Sequence, residues 1–335
     1  MNLTDAVRSI IKPHTEDVLA PLTTIWGEKL DPAHVLEEYP RPQLQRSSYY
    51  HLNWKWDYAF TDTPAAPASY QGKILVPFSP ESALSGVKRQ LKPGEYLWYR
   101  TSLPQEACAL PGGYRLLLHF GAVDYEAEIT LNGHKAFCHR GGYLPFEVDI
   151  TDFLRPDRNE LVVRVLDHSN RTEQSRGKQS LERGGIFYTA QSGIWQTVWI
   201  EKVPECYIGH LKITPLYDQS SIMIQMEEEH GIKDIDYEVT ITARKMWPVK
   251  ASGKTGKPCV IMIPHMRSWS PEDPFLYDLH VRMGEDSVES YFAMRKVEVK
   301  NDKEGIARIF LNNEPYFEKG VLDQGYWPDG LYTPP

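Results

Sequence analysis

LLHFGAVDYEAEITLNGHKAFCHRGGYLPFEVDITDF, residues 117–153, carries the pattern that decides the fold. Within it 127–131 (AEITL) alternates apolar and polar residues, and Asn132-Gly133 follows at once. Alternation sends successive side chains to opposite faces of a strand, and Asn-Gly accepts the positive φ angles of a two-residue hairpin turn. The stretch therefore reads as a hairpin in an antiparallel sheet. Upstream, 115–120 (RLLLHF) is a strand that Gly121-Ala122-Val123-Asp124 closes. Gly141-Gly142-Tyr143 puts glycine where a crowded loop needs positive φ or close backbone approach. Pro145-Phe146 and Asp149-Ile150-Thr151 lead back into the sheet.

Outward from this hairpin the same period continues through 147–150, 159–167 (NELVVRVLD), 194–203 (IWQTVWIEKV) and 207–214. Strands at this spacing, with Gly, Pro and Asn turns between them, predict a β-sandwich over 46–204. A second series, 221–228 (SIMIQMEE), 236–243 (DYEVTITA), 259–263 (CVIMI), 277–283 (YDLHVRM) and 287–299, predicts an immunoglobulin-like sandwich over 205–300. It has no Cys–Trp–Cys framework, so it is not of the antibody type. The alternate residues Trp195, Thr197 and Trp199 share a strand face and serve either core packing or carbohydrate stacking, packing being favoured by their place inside a strand.

The ends of the chain differ. Residues 1–45 form an arm for which short helices are expected at 4–11, 15–29 and 32–38 (PAHVLEE), the last begun by the N-cap pair Asp31-Pro32. Pro13 and Pro21 break any longer run, and Tyr39-Pro40-Arg41-Pro42 is extended. Beyond Lys300 come a strand at 307–311, an Asn312-Asn313 turn, a strand at 316–322 (YFEKGVL) and the turn-rich 323–335 (DQGYWPDGLYTPP).

Composition narrows the function. The 335 residues carry 45 acids against 37 bases, a net charge of −8, which argues against both disorder and a nucleic-acid partner. Twenty-five prolines and nine tryptophans fit short strands and turns better than a helical bundle. No apolar run approaches the ~18 residues of a membrane helix, and Met1-Asn2-Leu3-Thr4-Asp5 opens no secretory signal. A cytoplasmic location away from membranes is expected. Cys108, Cys138, Cys206 and Cys259 lack paired spacing, so buried thiols are expected in preference to two disulfides, a redox pair or a zinc site. Neither metal nor cofactor is indicated: the histidines show no ligand spacing, and there is no Gly-x-Ser-x-Gly elbow, phosphate loop or dinucleotide fingerprint.

Residues 117–153, 176–179 (RGKQ) and 188–203 (YTAQSGIWQTVWIEKV) together resemble the N-terminal sugar-binding jelly-roll of glycoside hydrolase family 2, which contains β-galactosidases, β-glucuronidases and β-mannosidases. Residues 271–299 resemble the end of that family's Ig-like domain, and 309–327 (IFLNNEPYFEKGVLDQGYW) the entry into its (β/α)8 barrel. The resemblance runs collinearly from about residue 40 to 335. It implies an all-β chain of a jelly-roll and an Ig-like sandwich, with 301–335 as linker and first strand of a truncated barrel.

The resemblance also implies retaining hydrolysis by two glutamates on barrel strands, the acid/base one after an asparagine. Such carboxylates stand about 5–5.5 Å apart. Asn159-Glu160 opens a sandwich strand and Asn313-Glu314 follows a turn, so neither pair is in place. A barrel needs about 250 residues. The expectation is a chain with no catalytic residues, inactive by itself, that belongs beside a C-terminal barrel. In relatives the jelly-roll lends a loop to the outermost sugar subsite, which places candidate carbohydrate-binding residues at Arg176, Lys178, Gln179 and Tyr188. Guanidinium, ammonium and amide donors suit sugar hydroxyls or a sugar carboxylate, and tyrosine adds an apolar face. An ordinary polar loop is the competing reading. Asp323, Gln324, Tyr326 and Trp327 follow the barrel-entry strand; Asp323, Gln324 and Trp327 complete the candidate set, and without a barrel these residues are expected to be disordered.

Galactosidases and glucuronidases keep a substrate-binding aspartate six residues before the glycine matching Gly193; here that position is Phe187, so its hydroxyl contact does not carry over. Glu81 is the only carboxylate of the 77–86 loop and serves as a turn residue or faces the barrel. Two other functions stay open, a free-standing carbohydrate-binding module and an interaction scaffold. A homo-oligomer is an open expectation, since the family's front domains often take part in oligomer contacts.

Overall fold

The structure, a computed structural model, describes residues 22–335. The helix expected at 4–11 and the first part of that expected at 15–29, up to residue 21, lie outside them; within 22–29 the α-helix does not form, and only Gly27–Lys29 makes a single 3-10 turn. Two compact units emerge: Tyr49–Lys202 with the preceding arm and Gln324–Pro335, and Val203–Asp323 with Arg41–Ser48.

The first unit is a sandwich of antiparallel sheets. One sheet has six strands in the order Gly72–Leu75, Lys55–Thr61, Tyr96–Ser102, Glu160–Leu166, Glu126–Leu131 and His134–Arg140. The other has four, Tyr49–His51, Val198–Pro204, Tyr114–Phe120 and Phe146–Asp149. Alternation does its expected work: Leu161, Val163 and Val165 turn inward with Ala127, Ile129 and Leu131 opposite them. They meet Leu116, Leu118 and Phe120 around Trp56 and Tyr99 in one core. At the hairpin, Asn132 and Gly133 have φ of 54° and 83°, the left-handed pair expected of that turn.

The second unit is likewise a sandwich. Ile208–Leu216, Ser221–Glu228 and Cys259–Met262 form one sheet, and Val249–Lys254, Asp236–Thr242, Tyr277–Met283 and Asp286–Phe292 the other. Ile222, Ile224 and Met226 pack with Val239, Ile241, Leu279 and Val281. Val297–Asn301, Ala307–Leu311 and Glu314–Pro315 make a third small sheet, turned at Asn312 and Asn313 with φ of 53° and 71°.

Four local expectations are corrected. Residues 32–38 are not helical: Asp31 accepts Ala33 N and His34 N, but Leu36 then turns to φ 45°. Asn53 Nδ2 donates to the carbonyls of Val35 and Leu36, which a growing helix would need. The strand expected at 194–203 is broken, because Gly193–Ile194 pairs with Val123–Asp124 while Val198–Pro204 lies in the four-stranded sheet. The 287–299 run likewise divides into Asp286–Phe292 and Val297–Asn301, which belong to different sheets. Residues 316–322 form no strand, and Phe317, Val321 and Leu322 are exposed. A strand is held by its neighbours' ladder bonds; Tyr316 N still donates to Ile309 O at 2.9 Å, but 317–322 has no such bond among the described residues.

Candidate functional site

The motif Ser192-Gly193-Ile194-Trp195 is shaped by close packing. Gly193 has φ 74°, and a Cβ there would stand 2.1 Å from the Tyr99 hydroxyl. That hydroxyl in turn accepts Ile194 N at 3.2 Å. Only glycine fits both demands. The backbone then bends at Gln196 and delivers Trp195, whose Nε1 donates to Gly142 O at 2.8 Å, into a group of aromatic rings.

Tyr332 lies at the centre of that group, its ring centroid 5.4 Å from Trp195, 5.2 Å from Tyr326 and 6.2 Å from Tyr143. Tyr188 stacks on Tyr326 at 4.5 Å and 20°. Around the rings runs a chain of hydrogen bonds. Tyr332 N donates to Gln191 Oε1 at 3.0 Å, Gln191 N to Gln179 Oε1 at 2.9 Å, and Gln179 Nε2 to the Tyr143 hydroxyl at 3.5 Å. Tyr326 donates its hydroxyl to Thr189 O, and Thr333 its hydroxyl to Trp195 O. Burial, first of all, raises the hydroxyl pKa of Tyr143 and of Tyr326 well above the ordinary phenol value. Both stay protonated; Tyr326 donates to Thr189 O, while Tyr143 accepts from Gly177 N at 3.0 Å and from Gln179 Nε2.

The segment Gln324–Pro335 is therefore packed against the first unit's own strands, which corrects the expectation of disorder at Tyr326 and Trp327. Trp327 meets Trp26 edge to face at 5.4 Å, and Asp329 Oδ2 accepts Thr24 N at 2.7 Å and its hydroxyl at 2.8 Å. Aromatic burial supplies the drive, each such ring removing about 150–250 Å² from water.

The candidate sugar-binding residues separate by role. Gln179 and Tyr188 come together through the parallel pairing of Gln179–Ser180 with Tyr188–Thr189. Gln179 is buried with both ends of its amide committed to the fold. Tyr188 is half-buried and donates its hydroxyl to Gln324 Oε1 at 3.3 Å. Arg176 and Lys178 are exposed on the irregular segment leading into Gln179. Trp327 is half-buried on Trp26, and Asp323 is exposed at the end of the second unit. Next to Tyr188, the loop tip presents Ile186 and Phe187 to solvent. Tyr326 was among the residues expected at the rim of the site; Tyr143, Tyr332 and Gln191 were missed, and the aromatic density of 323–335 was the one visible signal for Tyr332.

Under the rings lie buried acids. Glu81 accepts Ser192 Oγ at 2.7 Å, Ser192 N at 3.1 Å and Leu91 N at 3.1 Å, so it is a turn-holding residue. Burial pushes its pKa up to about 8. Asp124 is raised to about 8 by burial and then by Asp167 and Glu81, and its Oδ1 has no hydrogen-bond partner among the described residues. No group of three or more His, Cys, Asp or Glu among the described residues could hold a metal ion. All four cysteines are thiols; Cys138 and Cys206 are exposed and the other two half-buried, which corrects the expectation that all are buried.

Comparison with known proteins gives this arrangement its relatives. Residues 86–197 match the family model for the glycosyl hydrolase 2 galactose-binding domain-like fold, and 206–295 that for glycosyl hydrolases family 2. A putative β-glucuronidase of Formosa agariphila is 28% identical over 220 residues, 61% of this chain and 25% of its own length. The β-galactosidase large subunit of Leuconostoc lactis is 25% identical over 226 residues, 62% of this chain and 33% of its own. Among solved structures, the β-glucuronidase of Faecalibacterium prausnitzii is 25% identical with a TM-score of 0.62, covering 84% of this chain and 51% of that one. A Ruminococcus gnavus β-glucuronidase shares the fold at 19% identity and TM-score 0.68, covering 89% and 54%. The chain thus spans a quarter to a third of these curated relatives and about half of the solved ones.

Proposed function

Because this chain carries the galactose-binding-like and Ig-like domains of glycoside hydrolase family 2, we propose that it is the non-catalytic front part of a retaining enzyme hydrolysing terminal β-linked sugars. The order of the two domains in one chain, matched to about half the length of a solved β-glucuronidase, carries the reading. Retaining hydrolysis needs one carboxylate as acid/base and one as nucleophile, both open to the sugar. Glu81 and Asp124 are buried and so not open to a sugar, and in this reading both catalytic groups belong to a larger domain. The exposed Phe317, Val321 and Leu322 are the side chains that such a domain would cover.

In this reading the first unit helps bind the terminal sugar. Tyr188, set by its stack on Tyr326, offers a ring edge and a hydroxyl; Gln324 beside it accepts, and Arg176 and Lys178 add exposed cationic donors. Gln179 positions the strand from within, by its bonds to Gln191 and Tyr143.

Turnover tests the proposal. The polypeptide extended by the reading frame downstream of Pro335 should hydrolyse an aryl β-glycoside, while the 335-residue chain should not. A folded extended protein inactive across galactosides, glucuronides, mannosides and glucosides overturns it. So does micromolar binding of a neutral monosaccharide to the chain alone, the mark of a free-standing module.

A further inference from the structure

Beside the aromatic group, the first unit holds a cleft of about 710 Å³ between residues 88–93 and a wall formed by Arg171, 180–183 and Thr189. Its size falls within the ordinary range for small-molecule sites. What distinguishes it is its sign. Lys88, Arg89, Lys92, Arg171 and Arg183 all line it, in a chain whose net charge is −8. Glu182 and the buried Glu81 line it too, so the cations are in excess rather than alone; an excess of one sign between low-dielectric walls concentrates the field and attracts the opposite charge.

Some of these cations are held and others are not. Arg89 is fixed by Glu95 and by the Phe60 ring, 3.8 Å from its guanidinium carbon. Arg171 pairs with Glu182, and Arg183 Nη1 donates to Thr189 Oγ1 at 3.5 Å. The exposed ammonium groups of Lys88 and Lys92 have no ion pair or hydrogen bond among the described residues. Between them, Gln90 Nε2 is shielded from solvent and has no acceptor among the described residues. A shielded donor normally has a partner.

The floor adds little that would cancel the charge left over from these pairs. Glu81 accepts Leu91 N from one wall and Ser192 N and Oγ from the chain leading out of the other, a staple that fixes the cleft's width. Its raised pKa leaves it mostly protonated at neutral pH. Leu91, Pro93 and Leu181 add apolar surface of the kind that meets the CH faces of a sugar ring.

We propose that this cleft binds an acidic saccharide, one whose ring-borne carboxylate or sulfate groups meet Lys88, Lys92 and the arginines while Gln90 donates to a ring oxygen. The saccharide half of the assignment rests on the hydrolase reading; the anionic half rests on the lining alone. Carboxylate and sulfate share the chemistry that these cations recognise.

Calorimetric titration of the 335-residue chain decides it, with an oligouronate, a sulfated oligosaccharide, a neutral oligosaccharide of equal length and inorganic sulfate as separate probes. At least one acidic oligosaccharide should bind about tenfold or more tighter than the neutral one, and binding should weaken as salt is raised. The tighter of the two acidic probes identifies the group recognised. Lys88→Gln with Lys92→Gln should weaken that probe about three- to tenfold, the range for two partly exposed charge contacts. The arginine pair Lys88→Arg with Lys92→Arg should retain it, and an unchanged melting temperature would show that both variants fold. Equal binding of acidic and neutral probes, or a glutamine variant that binds as the parent does, overturns the inference. Inorganic sulfate binding as tightly as either acidic oligosaccharide overturns the saccharide assignment. The hydrolase reading fails separately, by absent turnover in the extended polypeptide.

Discussion

In the first unit Glu81 and Asp124 are buried with no ion pair among the described residues, and burial holds both near a pKa of about 8. In the second unit the buried Asp286 is bound instead to a guanidinium. Arg46 reaches it through Nε and Nη2, each at 2.9 Å, and Ile208 N adds a bond at 2.7 Å. Both arrangements satisfy the rule that a buried charge must be neutralised or paired. They differ in what does the neutralising. A proton serves at Glu81 and Asp124, and a permanently charged side chain from Arg41–Ser48 at Asp286. The first arrangement depends on pH, the second on an intact contact.

The contact is the larger single liability. Arg46→Ala leaves Asp286 buried against backbone donors alone and should cost the second unit about 3–5 kcal/mol. Denaturant unfolding followed for two transitions measures it, and the transition that moves identifies the second unit. Replacing Arg46 and Asp286 together by methionine and leucine should recover most of the loss, because an apolar pair leaves no stranded charge. A loss under about 1 kcal/mol in the single variant would mean that the pair is no more than a surface bridge, and the contrast between the units would collapse.

pH acts next, and on the other unit. Glu81 and Asp124 have folded pKa values above those of the unfolded chain, about 4. The folded state therefore keeps protons that the unfolded state releases, and stability is lost as pH rises from about 4 through 8. The slope is up to about 1.4 kcal/mol per pH unit for each carboxyl. Surface acids held low act elsewhere: the Lys257 hydrogen bond lowers Asp234, and the Arg308 hydrogen bond lowers Asp302. Their contribution is present above about pH 4 and lost below it. Melting measured at pH 5, 6, 7 and 8 should thus lower the first transition and leave the second nearly level. Parallel behaviour of the two transitions breaks the comparison.

How much of this could be read in advance depended on whether the deciding force was local. The turns at Asn132-Gly133 and Asn312-Asn313 were legible because those residues take the left-handed region that the chain needs there. Alternating burial in Glu160–Leu166 and Tyr277–Met283 followed from period two alone. The breaks at 195–197 and 293–296 were not legible, since a strand that changes sheets keeps its alternation across the break. Nor could Asp31-Pro32 foretell that Asn53 would take the carbonyls of Val35 and Leu36. At the site, the meeting of Tyr188 with Gln324 and the docking of Trp327 on Trp26 are long-range contacts. The cationic cleft escaped for the same reason: its two walls come from separate parts of the chain, and the basic run 88–92 (KRQLK) does not by itself reveal the wall it faces.

A smaller effect sharpens the first unit's half of the contrast. Asp124→Asn keeps the shape and removes the proton, so at pH 5, where Asp124 is protonated, stability should change by less than about 1 kcal/mol. As pH rises to 8 the variant should overtake the parent, because an amide has no charge to suppress. A pH slope identical to the parent's would show that Asp124 is not the group that titrates.

The smallest effect belongs to the stretch on which the functional proposal leans. Phe317→Ser alters a side chain 83% exposed, and such a change should stay within about 0.5 kcal/mol by melting of the 335-residue chain. In the extended polypeptide the same substitution should cost about 3 kcal/mol or more, the range for emptying a buried phenylalanine site, and lower the yield of active enzyme. Arg46→Ala, by contrast, should cost the same in both lengths, since both partners of its ion pair lie within the second unit. A Phe317 variant as silent in the longer protein as in the shorter would mean that no larger domain covers this segment, and the apolar run would need another explanation.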